Sequence, residues 1–292
     1  TTMPKKQGNS TESNGNGEIS GPSSAIQKIQ KKRRFRLKLR AHDASDASTF
    51  QSMQFGKKLA AIDKTTRDRG VKLLYLWLSR HQHLKEVDML AIWKALHYCM
   101  WLADKPLIQH ELAEKLGESI HIFAELDCSL RWMKTFFETI NREWFQIDRH
   151  RVDKYYTLIR KFLEQCFRYF AKLSWDLDAV TQFVTVLENG TLSDAPASLN
   201  ANPIHGVGAE KGVKLHLIDI YLDELHRVTS SELDGKVLTL LLRPFIRLAA
   251  HSPDKVIVKR IKELVLSPLA QQYLPPALFQ QEPETEDTEN RV

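Results

Sequence analysis

The sequence predicts an all-α fold: stacked antiparallel helix hairpins forming a HEAT/armadillo-like solenoid, with a disordered basic N-terminal arm and a disordered acidic C-terminal tail. Three observations predict it. From about Thr49 to Gln271, apolar residues recur at three-and-four spacing and not in Val/Thr-rich alternation. Expected helix starts two apart are separated by 41 residues (Asp63 to Asp104), 43 (Glu86 to Ser129) and 44 (Asp104 to Asp148), inside the ~40–47-residue period of such hairpins. No residue signature repeats with that period. Charge, finally, is segregated to the two ends of the chain.

The first forty residues hold ten Lys or Arg against Glu12 and Glu18, a net of +8, leaving 32 basic and 34 acidic groups for the other 252 residues. The basicity belongs to an arm and not to the body. Residues 1–47 are expected to be disordered, with the arm at 28–40, where Arg34 to Arg40 alternate charged and apolar side chains. In an extended chain Phe35, Leu37 and Leu39 share one side and Arg34, Arg36, Lys38 and Arg40 the other. That suits a segment laid along a phosphate backbone. Lys31, Lys32, Arg33, Arg34, Arg36, Lys38 and Arg40 are candidates for RNA contact, nuclear import or both.

The helical domain is expected over residues 48–274. Its helix starts are placed at Asp63, Glu86, Asp104, Ser129, Asp148, Asp176, Glu210, Ser230 and Ser252, several of which can accept an orphan backbone N–H. Asp104-Lys-Pro106 and Ser252-Pro253 place a proline in a first turn, where its missing N–H costs nothing. An irregular loop at 189–209, rich in Gly, Pro and Asn, divides about six helices from about three. Residues 275–292 carry Glu282, Glu284, Glu286, Asp287 and Glu289 and bury too little apolar surface to order themselves.

The segment Arg149 to Leu173 projects as one helix with a broad apolar face. Lys154, Lys161, Arg168 and Lys172 fall on a narrow strip opposite. Such a basic stripe is either a solvated face that keeps the helix soluble or a phosphate track.

With 42% apolar and 27% charged residues, composition excludes collagen-like, wholly disordered and disulfide-scaffold classes. No apolar run approaches the ~20 residues of a membrane-spanning helix. The first thirty residues show no apolar h-region, so a non-secretory, reducing compartment is expected. Cys99, Cys128 and Cys166 lack C-x-x-C spacing and read as small buried apolar residues. No Gly-rich phosphate loop, H-E-x-x-H, G-x-S-x-G or flanking carboxylate pair is present. His81 and His83, two apart, point different ways on a helix, and so do His97 and Cys99. His216 reads as a satisfied or surface histidine, and the six tryptophans as core anchors. The expectation is therefore no enzyme, no cofactor, no metal site and no small-molecule substrate.

Residues 92–113, Ile-Trp-Lys-Ala-Leu-His-Tyr-Cys-Met-Trp-Leu-Ala-Asp-Lys-Pro-Leu-Ile-Gln-His-Glu-Leu-Ala, resemble the signature of the eukaryotic nucleolar family called ribosomal RNA processing protein one. Phe55 to Ala60, Asn141 to Arg149 with Asp153 to Tyr156, and Gly212 to Leu225 resemble it too, in the same order. The resemblance covers about residues 54–250. It implies a non-catalytic, nucleolar assembly factor of the large ribosomal subunit precursor: a helical scaffold beside pre-rRNA, Brix-domain and WD-repeat proteins and ribosomal proteins. Lys57, Lys58, Lys105, Arg142, Arg149 and Arg151 lie within or beside the matched motifs. His97 stands where the pattern leads one to expect a bulky apolar aromatic. The alternative is a nuclear adaptor that binds protein only and uses its arm for import.

Overall fold

Local chemistry starts the helices. In the computed structural model, which describes residues 54–193, 207–229 and 233–273, the Asp63 carboxylate accepts the Thr66 N–H at 2.8 Å and opens a helix over Lys64–Leu78. Asp176 does the same for Ala179 at 2.9 Å, and Pro106 is the first residue of its helix. The described helices are α1 Gln54–Leu59, α2 Lys64–Leu78, α3 Glu86–Trp101, α4 Pro106–Glu118, α5 Leu126–Glu143 and α6 Val152–Lys172. They continue with α7 Leu177–Asn189, α8 Val207–Val228, α9 Gly235–His251, α10 Lys255–Ile261 and α11 Ser267–Tyr273. Short 3₁₀ turns follow α4 and α5, and a π turn, Lys262–Leu266, joins α10 to α11. Among the described residues there is no strand, and no helix is long and apolar enough to cross a membrane. The basic arm, the acidic tail and the middle of the 189–209 loop lie outside the described residues.

Five expected starts move by two residues or more: Glu210 lies inside α8, and Asp148 precedes α6, whose N-cap is Arg151. Ser129 lies inside α5, its hydroxyl donating to the Glu125 carbonyl at 3.2 Å, the back-bond that Ser makes within a helix. The helix expected from Ser230 is capped by Asp234, and that expected from Ser252 by Asp254. Pro253 therefore precedes its helix and does not enter the first turn.

Packing pairs helices two apart in the chain. The main neighbours are α3 with α5, α4 with α6, α6 with α8, and α7 with α9; α1 folds onto α2. At the centre, Trp93 of α3 lies 4.7 Å from Trp132 of α5, centroid to centroid, and edge-on to Phe162 of α6. The indole N–H of Trp93 donates to the Trp132 carbonyl at 3.1 Å, and that of Trp132 to the Ser119 hydroxyl at 2.9 Å. Each fully buried large side chain of this kind contributes about 1.5–3 kcal/mol. Trp144 is buried too, while Trp77, Trp101 and Trp175 are half-buried.

His97 belongs to this core. Its ring stacks on Tyr155 at 4.6 Å, and burial, with the nearby Arg142 and Lys154 cations, lowers its pKa to about 3. The imidazole is thus a neutral aromatic ring in the place of an apolar one.

The α4–α6 crossing is close because Gly117 has no side chain: a Cβ there would lie 2.9 Å from the Lys161 carbonyl oxygen. In the last rod, Ile257, Ile261, Val265 and Leu269 are all buried at intervals of four. An α-helix rotates such a series by about 40° per step. The π turn winds more slowly and keeps the four on one face.

Candidate nucleic-acid interface

Twenty-one residues of α6 form the longest amphipathic segment of the first seven helices, yet both sides of it are packed, by α4 and by α8. That changes the fate of its basic strip. Lys154 is buried, and its ammonium donates to the Trp101 and Ala103 carbonyls, each at 2.8 Å. It closes the C-terminal end of α3. Burial, reinforced by the Arg151 cation, lowers its pKa to about 8. Lys161 reaches Glu114 of α4 at 3.2 Å and Glu164 at 3.4 Å. Arg168 donates twice to the other oxygen of Glu164, Oε1, at 2.8 and 3.0 Å, and the Lys172 ammonium lies 3.3 Å from His121 Nδ1. Burial works against the Glu164 carboxylate, but Arg168 and Lys161 outweigh it and hold its pKa below the ordinary value.

The stripe is therefore a buried lysine on backbone carbonyls at one end, an ion network around Glu164 in the middle, and the exposed side chains of Arg168 and Lys172 at the other end. Lys154 leaves the list of surface cations because its helix has neighbours on the side that projection assigned to solvent. The arm residues Lys31 to Arg40 fall outside the described residues. Of the motif cations, Arg151 pairs with Asp148 and sits over the Trp101 ring at 4.6 Å. Arg142 meets Glu143 at 3.1 Å, and the exposed Arg149 reaches His150 at 3.3 Å. Lys57 and Lys105 are exposed.

A second basic surface was not singled out from the sequence. On α2, Arg69, Lys72, Leu73 and Leu76, with Arg80 just past its end, fall within an arc of about 100°. All five are exposed, and Arg69, Lys72 and Arg80 have no ion-pair partner among the described residues. The acidic residue of this helix, Asp68, is held by Lys64 at 2.6 Å. The inner face is buried, with the Tyr75 hydroxyl donating to the Lys115 carbonyl and buried Arg67 donating to the Ala61 and Ile62 carbonyls. Beside the cations, the exposed His81 ring lies flat on Trp77 at 4.2 Å. The same helical projection applied to Arg69, Lys72 and Arg80 carries this signal in the sequence.

His216, half-buried, is held by α6: its Nε2 lies 3.1 Å from the Tyr156 carbonyl oxygen and its ring packs on Tyr156.

Comparison with known proteins agrees in extent with the helical region. The chain is 37% identical over 224 residues to Ribosomal RNA processing protein 1 homolog B of Mus musculus, covering 75% of this chain and 29% of that protein. It is 31% identical to homolog A of Homo sapiens, covering 75% and 46%, and 30% identical to the Drosophila melanogaster homolog, covering 74% and 30%. The chain thus spans less than half the length of these relatives. Residues 50–291 match the family described as "Nucleolar protein, Nop52". On that match, which takes in every described helix, the chain belongs to the Nop52 family of nucleolar proteins.

Proposed function

We propose that this helical body is a non-catalytic scaffold on the precursor of the large ribosomal subunit, needed for rRNA processing and holding pre-rRNA and other assembly factors by contact alone. The setting is the nucleolus, for which the family is named, and the relatives are named for ribosomal RNA processing. The observation that carries the RNA contact is the outer face of α2. Three cations stand there without carboxylate partners among the described residues, on a body whose charges beyond residue 40 sum to −2 with these three included. Phosphate oxygens are the partners such cations take, and the His81–Trp77 stack offers an exposed ring against which a base packs. The basic arm, Lys31 to Arg40, would extend the same track. Pairing of helices two apart supports a solenoid of stacked hairpins, whose broad faces suit extended partners such as Brix-domain and WD-repeat proteins.

Leu73 and Leu76, exposed within the same α2 face, favour a second reading in which that face docks a protein. Filter binding of large-subunit rRNA fragments across a salt series separates the two. With Arg69, Lys72 and Arg80 changed to Ala, the log–log salt slope is expected to shrink by about 2, from roughly 0.7 per lost single-strand contact. An unchanged slope in this variant, and in one whose arm cations are replaced by Ala, would leave the protein-only adaptor standing.

A further inference from the structure

Away from the α2 face, one group of metal-ligating side chains comes together among the described residues, where the loop after α2 meets the start of α5. Gln82 builds the place. Its amide donates to the carbonyls of Leu78 at 3.1 Å and Ile122 at 3.3 Å, and its Oε1 accepts the Ala124 N–H at 2.8 Å. The α2–α3 loop is thereby tied to the α4–α5 loop, and the next residue, His83, holds its Nδ1 3.5 Å from the Glu125 carboxylate. Cys128, the third residue of α5, completes a trio whose donor atoms all lie within 4.8 Å of one another.

We propose that His83, Glu125 and Cys128 form a binding site for a zinc-class divalent cation, with solvent as the fourth ligand. Imidazole nitrogen, carboxylate oxygen and thiolate sulfur are each donors that zinc takes, and three protein ligands plus one open position is a recognised zinc arrangement. The charges balance: carboxylate and thiolate supply −2 against +2. As the metal–sulfur bond forms, the thiol proton, now donated to the Gln82 carbonyl at 2.7 Å, leaves to solvent. Arg131 donates to the sulfur at 3.3 Å and is itself neutralised by Asp127 at 2.9 Å. It is placed to hold the thiolate from outside the coordination sphere without adding net positive charge.

Tetrahedral bonds of 2.0–2.3 Å put donors roughly 3.3–3.8 Å apart. The trio must therefore close by about an ångström, within reach of the side chains of His83 and Glu125, which are 76% and 54% exposed, while buried Cys128 serves as the fixed point. A bound ion would cross-link two interhelical loops that Gln82 already joins. His83 and Cys128 stand 45 residues apart, so no short spacing motif announces them.

Cobalt(II), a spectroscopic substitute for zinc, tests this on the full chain. The expected result is one equivalent bound with sulfur-to-cobalt charge-transfer absorption and the visible bands of tetrahedral coordination, both abolished by added zinc. Cys128→Ala should abolish the charge-transfer band. His83→Ala and Glu125→Gln, at exposed positions, should keep their helical circular dichroism and weaken cobalt binding at least about tenfold. Absence of the charge-transfer band in the unmodified chain at millimolar cobalt would overturn the site, and so would undiminished binding in either exposed-ligand variant. An octahedral spectrum without sulfur absorption would count against it equally.

Discussion

Two helices carry conspicuous rows of cations, and they use them in opposite ways. On α6 the row is drawn inward: Lys154 closes the end of α3, Lys161 bridges to α4, and Arg168 shares Glu164 with it. On α2 the row Arg69, Lys72 and Arg80 is left facing water with Leu73 and Leu76 between. The difference lies in the neighbours and not in the helices. α6 has partners on both sides, whereas α2 offers its inner face to the body and its outer face to nothing described. A basic stripe thus becomes internal scaffolding or an external surface according to how many layers enclose it.

The comparison breaks most readily at the joint beneath α6. Gly117→Val would drive a branched side chain against the Lys161 carbonyl, and a loss of about 3 kcal/mol in denaturant unfolding is expected. Lys154→Met comes next. It strips the Trp101 carbonyl of its ammonium donor, while the Ala103 carbonyl keeps Gln109 at 3.0 Å, so a loss of about 1–3 kcal/mol at neutral pH is expected. Affinity for RNA per folded molecule should not change.

The same substitution carries a pH signature. The folded pKa of Lys154, about 8, lies below the ordinary 10.5, so between those values the unfolded chain binds more protons. Stability from this group therefore rises as pH increases from about 8 towards 10.5, and it is lost as pH falls through 8. Unfolding measured across that window should show the rise in the natural chain and lack it in Lys154→Met.

Glu164→Gln removes the anion that Lys161 and Arg168 share. A loss of about 1 kcal/mol is expected, together with tighter RNA retention in filter binding, because Arg168 is released and Lys161 keeps only Glu114. If retention does not rise, freed charge alone does not make an RNA surface, and the contrast with α2 needs a further cause. The smallest effect belongs to α2 itself: replacing Arg69, Lys72 and Arg80 with Ala should shift thermal unfolding by no more than about 0.5 kcal/mol, since none of the three holds an ion-pair partner among the described residues.

Much of the helical plan is legible in the chain. Asp63, Asp176 and Pro106 mark helix starts because capping is a local event. The burial of Cys99, Cys128 and Cys166, and of Trp93 and Trp132, follows from their apolar surroundings in sequence. Ser129 misled because a serine hydroxyl serves a helix interior as readily as a cap. Lys154 misled for a different reason. Periodicity tells which face of a helix is apolar, but not whether a second helix covers the polar one. The meeting of His83 with Glu125 and Cys128 is set by the Gln82 clamp between two loops, a tertiary event that no local pattern encodes.

The π turn at Lys262–Leu266 sets the phase of everything that follows it in the rod. It acts as a one-notch correction, absorbing the mismatch between a four-residue hydrophobic interval and ordinary α winding. Removing a single residue there would advance Ser267–Tyr273 by about 100° around the axis and swing Leu269 out of the seam it now shares with Ile257, Ile261 and Val265. The length of this short stretch is therefore constrained as firmly as buried Val265 within it: the exposed side chains there can be exchanged, but a residue cannot be dropped.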